Sequence, residues 1–567
     1  MKSHLRELLT RACEKAAKGG ELNTTDLPPL LLEPPSQKEF GDLATNVALL
    51  WAKKVRKPPR AVAELIVNEI DDPEKILARV EIAGPGFINF TFAAGFVRER
   101  LRELARAERW APDIGRGQKV QVEFASVNPT GPLHVGHGRV AVIGDALARL
   151  LGAVGYDVER EYYVNDAGRQ IELLGESIYA RYRELFGLEG PFPEDGYRGD
   201  YIKELAARAR AEWGERFLCG TDEAIDFLSR FGCESLLAGI RDDLASFGIA
   251  FDSFISEREM RARGEVAQAL ALLRERDLIY DEAGAQWFRA TRFGDDKDRP
   301  VVKSDGELTY FASDIAYHRS KFERGHQRLI NVWGADHHGY VSRLKAALQA
   351  LGYDPARLDV VLVQMVNLTR QGEPVRMGKR SGEFVSLREV LDEVGRDAAR
   401  FFFLMRKADT HLEFDLELAK KESSENPVFY VQYAHARIAS ILEQARQKNI
   451  VLDREAVELA RLALPEELDL IKSAAQLPEV VEDSARELEP HYIVAYLLDL
   501  AGQFHRYYNR HRVISDDPGL TGARLFLAES VQQTVRRGLE LLGISAPTRM
   551  ESRAQSEDAA RLGSAQS

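Results

Sequence analysis

Two histidines three residues apart, His134 and His137, lie in the run Asn128-Pro129-Thr130-Gly131-Pro132-Leu133-His134-Val135-Gly136-His137-Gly138. Before it, Val120, Val122 and Phe124 alternate as in a strand; after it, Val140, Ile143, Leu147 and Leu150 recur as on one helix face that ends at Gly152. This strand–loop–helix order opens a doubly wound α/β domain, where ligands bind at strand carboxyl ends and helix N-termini favour phosphate. Gly136 removes a side chain where backbone must approach a nucleotide. The histidines share one face of the first turn and can donate to triphosphate oxygens whose charge grows in a transition state. On spacing alone, a metal pair or a helix cap with incidental histidines reads equally well; the strand–loop–helix setting favours phosphate. A second candidate is Arg376-Met377-Gly378-Lys379-Arg380-Ser381-Gly382, a short connection after the apolar run Val360–Val366. A Gly-flanked basic loop suits a clamp on departing pyrophosphate, because such transfers need chiefly positioning and positive charge. Taken by itself the segment reads first as a solvated basic turn.

The elements that must hold these loops divide the chain. Residues 1–112 read as a small α+β domain. In it, Leu43, Val47, Leu50 and Val55 have helical spacing over 38–55, a second helical stretch follows, and Ile88, Phe90 and Phe92 alternate with Asn89 and Thr91 as a strand after the turn Gly84-Pro85-Gly86. Ala111–Gly115 reads as the exit linker. Residues 117–386 read as the α/β domain, with Leu329–Trp333 and Val360–Val366 as buried parallel strands around a helix through Val341, Leu344 and Leu348. A helical insertion interrupts it over about 175–300, most clearly to 250. Residues 387–550 read as helix almost throughout, as in 426–446 and 488–512, which predicts a bundle. The polar tail 551–567 has little to bury and is expected to be disordered.

Composition narrows the class. The 567 residues are 45% apolar and 29% charged, an ordinary globular mix. No apolar run approaches the roughly 20 residues that span a bilayer. The amphipathic N-terminus lacks a secretory apolar core, and Glu7 and Glu14 argue against a transit peptide, so a cytoplasmic location and no membrane partner are expected. Cys13, Cys219 and Cys233 are scattered, with no CxxC pair, so neither zinc nor a disulfide framework is expected. A net charge of -12 argues against a chain coated in nucleic acid but leaves room for a specific RNA held by a local basic surface.

Taken together, the two loops resemble the signatures of class I aminoacyl-tRNA synthetases. His134-Val135-Gly136-His137 matches HIGH, and Arg376-Met377-Gly378-Lys379-Arg380 resembles KMSKS, with Arg376 for the first lysine, Gly378 for the serine and Lys379 kept. Within the class the chain is similar to the arginyl-tRNA synthetase family. The segments that carry this are Val122–Pro129, Phe251-Asp252 with Ser256-Glu257, Tyr310–His318, Asn426–Arg437 and the ending Leu541–Met550. The resemblance runs from near residue 1 to Met550. It implies a multidomain α/β plus α protein: an N-terminal α+β domain that contacts the tRNA elbow, a Rossmann-like catalytic domain and an all-α anticodon-binding bundle.

It also implies roles. His134, His137 and Lys379 would be catalytic, and Gly136, Gly334, Asp336, Met365, Val366, Met377 and Arg380 would hold ATP. Glu123, Ser126, Asn128, Glu257, Tyr310 and Asp314 would bind arginine, since a guanidinium wants carboxylates in fork geometry and tolerates burial only when paired. For Glu123 a strand-end surface charge, for Asp314 a first-turn carboxylate and for Glu257 a loop charge stay open. Tyr430, Tyr433, Arg437 and Met550 would contact tRNA. In His505–Arg512 aromatics and arginines interleave, either to stack bases or as a bundle helix that buries Tyr507 or Tyr508. The implied reaction joins L-arginine to the terminal adenosine of tRNA-Arg, with ATP as substrate, Mg²⁺ on its triphosphate and tRNA needed for activation, in a monomer. The rivals are another class I synthetase, a small-molecule nucleotidylyltransferase and a non-catalytic tRNA-binding paralogue.

Overall fold

A computed structural model of the chain describes residues 1–18, 28–107, 109–188, 190–218, 221–375 and 385–550. The basic loop with Arg376, Met377, Gly378, Lys379 and Arg380, together with Cys219 and the tail 551–567, lies outside the described residues.

The chain opens with the helix Lys2–Lys18 and three strands, β1 (Leu43–Thr45), β2 (Leu77–Ala83) and β3 (Phe87–Phe92), in the antiparallel order β1-β3-β2. The stretch 38–55 is not a single helix. Leu43 stands in β1 opposite Phe90, and the helix proper is Val47–Val55. The break is at Gly41, whose φ of 121° and close approach to the Phe90 carbonyl (2.6 Å for a built Cβ) exclude a helical residue with a side chain.

Next come β4 (Lys119–Phe124), β5 (Asp157–Val164) and β6 (Ser253–Ser256), then an antiparallel trio, β7 (Ile279–Glu282), β8 (Ala285–Phe288) and β9 (Arg299–Val302), and then β10 (Arg328–Gly334) and β11 (Leu358–Val363). The central sheet is parallel in the order β11-β10-β4-β5-β6. The chain winds one way from β4 and the other way through β10, so the switch point lies between those two strands, where such folds bind ligands. The helix Val135–Ala153 follows β4 and lies so close to the sheet that a Cβ on Gly144 would sit 2.2 Å from the Phe124 ring.

Two further expectations need correction. Val360–Val366 is not one strand. β11 ends at Val363, and Val366 begins β12 (Val366–Arg370), which pairs with β13 (Glu373–Pro374) and, in parallel, with β14 (Leu412–Asp415). Arg139 causes the turn: its buried guanidinium donates to the Gln364, Lys407 and Thr410 carbonyls at 2.9, 2.9 and 2.8 Å, taking Gln364 out of any strand ladder. Nor is the insertion helical to about 300. Its helices are Arg169–Glu184, Asp200–Trp213 and Thr221–Ser246, with a core of their own that includes Leu174, Ile178, Tyr182, Ile202 and Leu205. The chain then returns to the main sheet as β6 and forms the β7–β9 trio.

From Leu387 every described regular element but β14 is a helix, and the bundle includes Pro427–Gln447, Pro465–Ala474, His491–Arg510 and Pro518–Leu541. Fully buried Glu467 receives Arg524 Nε at 2.9 Å and the Tyr507 hydroxyl at 3.2 Å, pinning three of these helices. Ion pairs Lys472–Asp42 (2.6 Å) and Lys38–Asp469 (2.7 Å) join the bundle to the N-terminal sheet. No described helix is long and apolar enough to cross a membrane.

Candidate active site

The first histidine caps the helix it precedes. His134 Nδ1 accepts the Gly136 N–H at 3.1 Å, and His137 Nδ1 accepts the His134 N–H at 3.3 Å. The rings stack 3.4 Å apart. A neutral imidazole that accepts at Nδ1 carries its proton on Nε2, so capping fixes both rings in the Nε2–H form at a helix N-terminus. The cap and phosphate readings are therefore compatible. The segment just past the basic loop returns here: Leu387 N donates to Leu133 O at 2.8 Å, and Ser386 bridges to His134.

Gly334 ends β10 beside β4. A Cβ there would meet the Asp336 carboxylate at 2.5 Å, so glycine lets the chain turn tightly into Ala335–Tyr340. Asp336 is exposed. Met365 is 65% exposed, whereas the Val366 side chain is in the core and leaves only its backbone to meet a nucleotide.

A second cluster lies across the same strand ends. Ala125, with φ 55°, folds the chain back so that Ser126 Oγ donates to Glu123 Oε1 at 3.1 Å and accepts from Tyr163 N at 3.0 Å. Glu123, Glu257 and Asp314 are all buried, at 5, 1 and 6% exposure. Glu123 is not a surface charge: fully buried Lys321 reaches its Oε2 at 2.6 Å and Asn331 Oδ1 at 3.2 Å. Asn331 Nδ2 donates to His318 Nε2 (2.8 Å), and His318 Nδ1 donates to the Asp314 carbonyl (2.9 Å), so the network props up the turn that bears Asp314. Glu257 opens the helix Glu257–Ala262. One of its oxygens takes Arg261; the other, Oε2, is buried without a hydrogen-bond partner among the described residues, as is the Tyr163 hydroxyl. The Asp314 carboxylate receives the Tyr340 hydroxyl. Burial, reinforced by the charges of Glu123 and Glu257, raises its pKa well above the usual carboxylate value. Asp314 raises that of Tyr310, with burial second, and burial followed by Glu257 and Asp314 raises that of Tyr163. Tyr310 itself is half-exposed and, with Tyr340, Trp287, Lys297 and Arg343, lines an adjoining cavity of about 530 Å³.

Asn128, half-buried in the loop, donates from Nδ2 to Gln170 Oε1 at 2.6 Å and accepts from Asn165 Nδ2 at 3.1 Å. Tyr163, Lys321, Tyr340 and Gln170 were not singled out by sequence. Lys321 had a signal: it lies two helical turns after Asp314, on the same face. Among the described residues no three His, Cys, Asp or Glu side chains gather as a metal site.

In the helical bundle, Tyr430, Tyr433 and Arg437 share a face of Pro427–Gln447. The His505 ring lies 4.6 Å from Tyr430 and 5.9 Å from Tyr433, and Arg437 stands 4.6 Å over Tyr433 and 4.9 Å over Tyr508. Tyr430, Tyr433, Arg437 and Tyr508 are half-exposed, while Tyr507 is buried, as its packing alternative required. Half-exposed Met550 ends a segment tied to the same helix by His435 to Pro547 O at 2.8 Å.

A histidine-capped helix at the switch point of a parallel sheet, an insertion after the second strand and a helical C-terminal bundle define a class I aminoacyl-tRNA synthetase. Methionyl-tRNA synthetase of Mycobacterium tuberculosis, 14% identical, shares the fold with a TM-score of 0.53 over 75% of this chain and 91% of its own. Residues 101–440 match the model "tRNA synthetases class I (R), catalytic domain", 3–92 the "Arginyl tRNA synthetase N terminal domain" and 431–550 the "DALR anticodon binding domain". The arginine–tRNA ligase of Geobacter sp. (strain M21) is 52% identical over 97% of this chain and 100% of its own length. Thermus thermophilus arginyl-tRNA synthetase superposes with a TM-score of 0.77 at 26% identity, covering 97% and 100%. The chain belongs to the arginyl-tRNA synthetase family.

Proposed function

We propose that the chain is an arginine–tRNA ligase. The observation that carries this is the buried acidic pocket. Glu257 Oε2 and the Tyr163 hydroxyl have no partner among the described residues, burial raises the Asp314 pKa well above the usual carboxylate value, and a guanidinium supplies the missing donors and charge. The helix-capping histidines follow β4, the strand that carries Glu123.

The arginine carboxylate attacks the α-phosphorus of ATP; the α–β bridging P–O bond breaks, giving arginyl-adenylate and pyrophosphate. The 2′-hydroxyl of the terminal adenosine of tRNA-Arg then attacks the activated carbonyl, AMP leaves and the hydroxyl proton passes to solvent. No protein nucleophile is needed. His134 and His137 donate to the phosphates through Nε2, and Lys379 of the basic loop holds the departing pyrophosphate, with Met377 and Arg380 beside it. Gly136, Gly334, Asp336 and Met365 border the nucleotide; Mg²⁺ enters on ATP as part of the substrate. Glu257, Asp314 and Tyr310 take the guanidinium, and Asn128 takes the α-ammonium. Glu123 and Ser126, engaged with Lys321 and Tyr163 N, support that pocket. Tyr430, Tyr433, Arg437 and Met550 face the anticodon arm. The family resemblance supports a monomer at work in the cytoplasm.

Arginine-dependent exchange of labelled pyrophosphate into ATP, with and without tRNA-Arg, tests this. Exchange that appears with arginine only when that tRNA is present is the expected result. A folded chain that binds tRNA-Arg yet shows no exchange in either condition is an RNA-binding paralogue instead.

A further inference from the structure

The helical insertion has its own apolar core, yet it touches the loop ahead of the histidines at two points. At the start of its first helix, exposed Gln170 accepts from Asn128 Nδ2 at 2.6 Å. At the start of its second, Tyr201 donates its hydroxyl to Thr130 O at 2.9 Å, and its ring lies against Gly131, 3.3 Å from where a Cβ would be. The insertion enters from β5 through Gly168, whose φ of 86° lets the chain turn into the first helix. Its third helix also reaches the far side of the site, where Asp243 and Asp242 accept from Arg388, each at 2.9 Å. Arg388 follows Leu387, the residue bonded to Leu133 of the histidine loop.

From these contacts we infer that the insertion positions the amino-acid end of the site: Gln170 and Tyr201 are positioning residues that act through Asn128 and the Thr130-Gly131 backbone. An asparagine amide can turn about its last bond and exchange donor for acceptor with little change of shape. Partners on both its atoms, Gln170 and Asn165, hold it in one setting, with a lone pair of Oδ1 left for an ammonium. This rests on the reading of Asn128 as ligand of the arginine α-ammonium. Because Gln170 is exposed and distant from the guanidinium carboxylates in sequence and in its own contacts, its removal alters orientation without emptying the pocket.

The test is steady-state aminoacylation by the full chain at saturating tRNA-Arg and ATP, with arginine varied, for Gln170→Met, Tyr201→Phe, Asn128→Ala and the double variant Gln170→Met/Asn128→Ala. Gln170→Met is expected to raise KM for arginine by about three- to tenfold, the scale of one hydrogen bond, with kcat little changed. Tyr201→Phe is expected to do the same more weakly. Asn128→Ala should raise KM at least as far, and the double variant no further than Asn128→Ala alone, because Gln170 has then lost the group it acts through. Gln170→Glu, which keeps an acceptor, should restore most of the loss. Multiplicative effects in the double variant, or an unchanged KM in Gln170→Met while Asn128→Ala raises it, would overturn the positioning role. An unchanged KM in Asn128→Ala overturns the Asn128 reading and the inference with it.

Discussion

The acidic pocket and the aromatic cluster of the bundle both gather residues able to bind, but they hold them differently. In the pocket, burial runs ahead of compensation: three buried carboxylates share two cations, Lys321 and Arg261, and a carboxylate oxygen and a tyrosine hydroxyl are left without partners among the described residues. In the cluster the polar groups serve one another. His505 bonds Tyr430 O at 3.2 Å, Arg437 bonds the Tyr433 hydroxyl at 3.0 Å, and the Tyr430 and Tyr433 rings remain half-exposed. A site that stores uncompensated charge in low dielectric is unstable until its ligand arrives, and it suits a small cation. A satisfied, half-exposed stack is stable alone and suits a surface laid against unpaired bases. One region should therefore gain stability when blunted, and the other should not.

Asp314→Asn is the sharpest attempt to break that contrast. Loss of one partner from a buried charge pair costs about 3–5 kcal/mol, so arginine-dependent kcat/KM should fall by about a thousandfold. The ligand-free variant should nonetheless melt at a higher temperature than the parent, because an amide needs no desolvated charge. A variant that lost activity and stability together would mark Asp314 as a structural residue.

The pH dependence follows from the same group. A carboxyl whose folded pKa is raised holds its proton where the unfolded chain has lost it. Its contribution to stability is present at low pH and disappears as pH rises through the folded pKa. Arginine needs the ionised form, so below that pKa binding must expel a proton, and affinity should weaken by up to about tenfold per pH unit on acidification. Calorimetry of arginine binding in buffers of different ionisation enthalpy reads the released proton directly; Asp314→Asn should release none.

Tyr433→Ala probes the other region. Stacking on one base is worth about 1–3 kcal/mol, and a cluster whose other members stay in place should lose the lower end of that range, raising KM for tRNA by about fivefold. Arginine binding measured without tRNA should not change. An altered arginine affinity would mean that the two regions are coupled in the free chain.

Much of this contrast was legible in the sequence, unevenly. The strand–loop–helix at 120–152 carries both periodicities and its glycines, and these alone set the histidines at a strand-to-helix turn. Local spacing failed where distant groups decide. Gly41 ended a helical pattern at Leu43 because the Phe90 carbonyl lies against it, and Arg139 divided Val360–Val366 by bonding three carbonyls far along the chain. Likewise Tyr163 and Tyr340 come to Asp314 from different strand ends, and no spacing within the sequence places them together. The roles of Met377, Lys379 and Arg380 rest on sequence resemblance alone.

Tyr340→Phe should have the smallest effect and sharpens the account most finely. The Tyr340 hydroxyl donates to Asp314, stabilising the ionised carboxyl against the burial that neutralises it. Removing the hydroxyl and keeping the ring should shift the Asp314 pKa further upward, and at neutral pH should raise KM for arginine by about threefold, within the range of one hydrogen bond. The same variant assayed at higher pH should recover, because the carboxyl then ionises without help. A defect that persists across pH would show instead that Tyr340 meets the substrate itself, and its place in the wall of the cavity beside Tyr310 would be the reason.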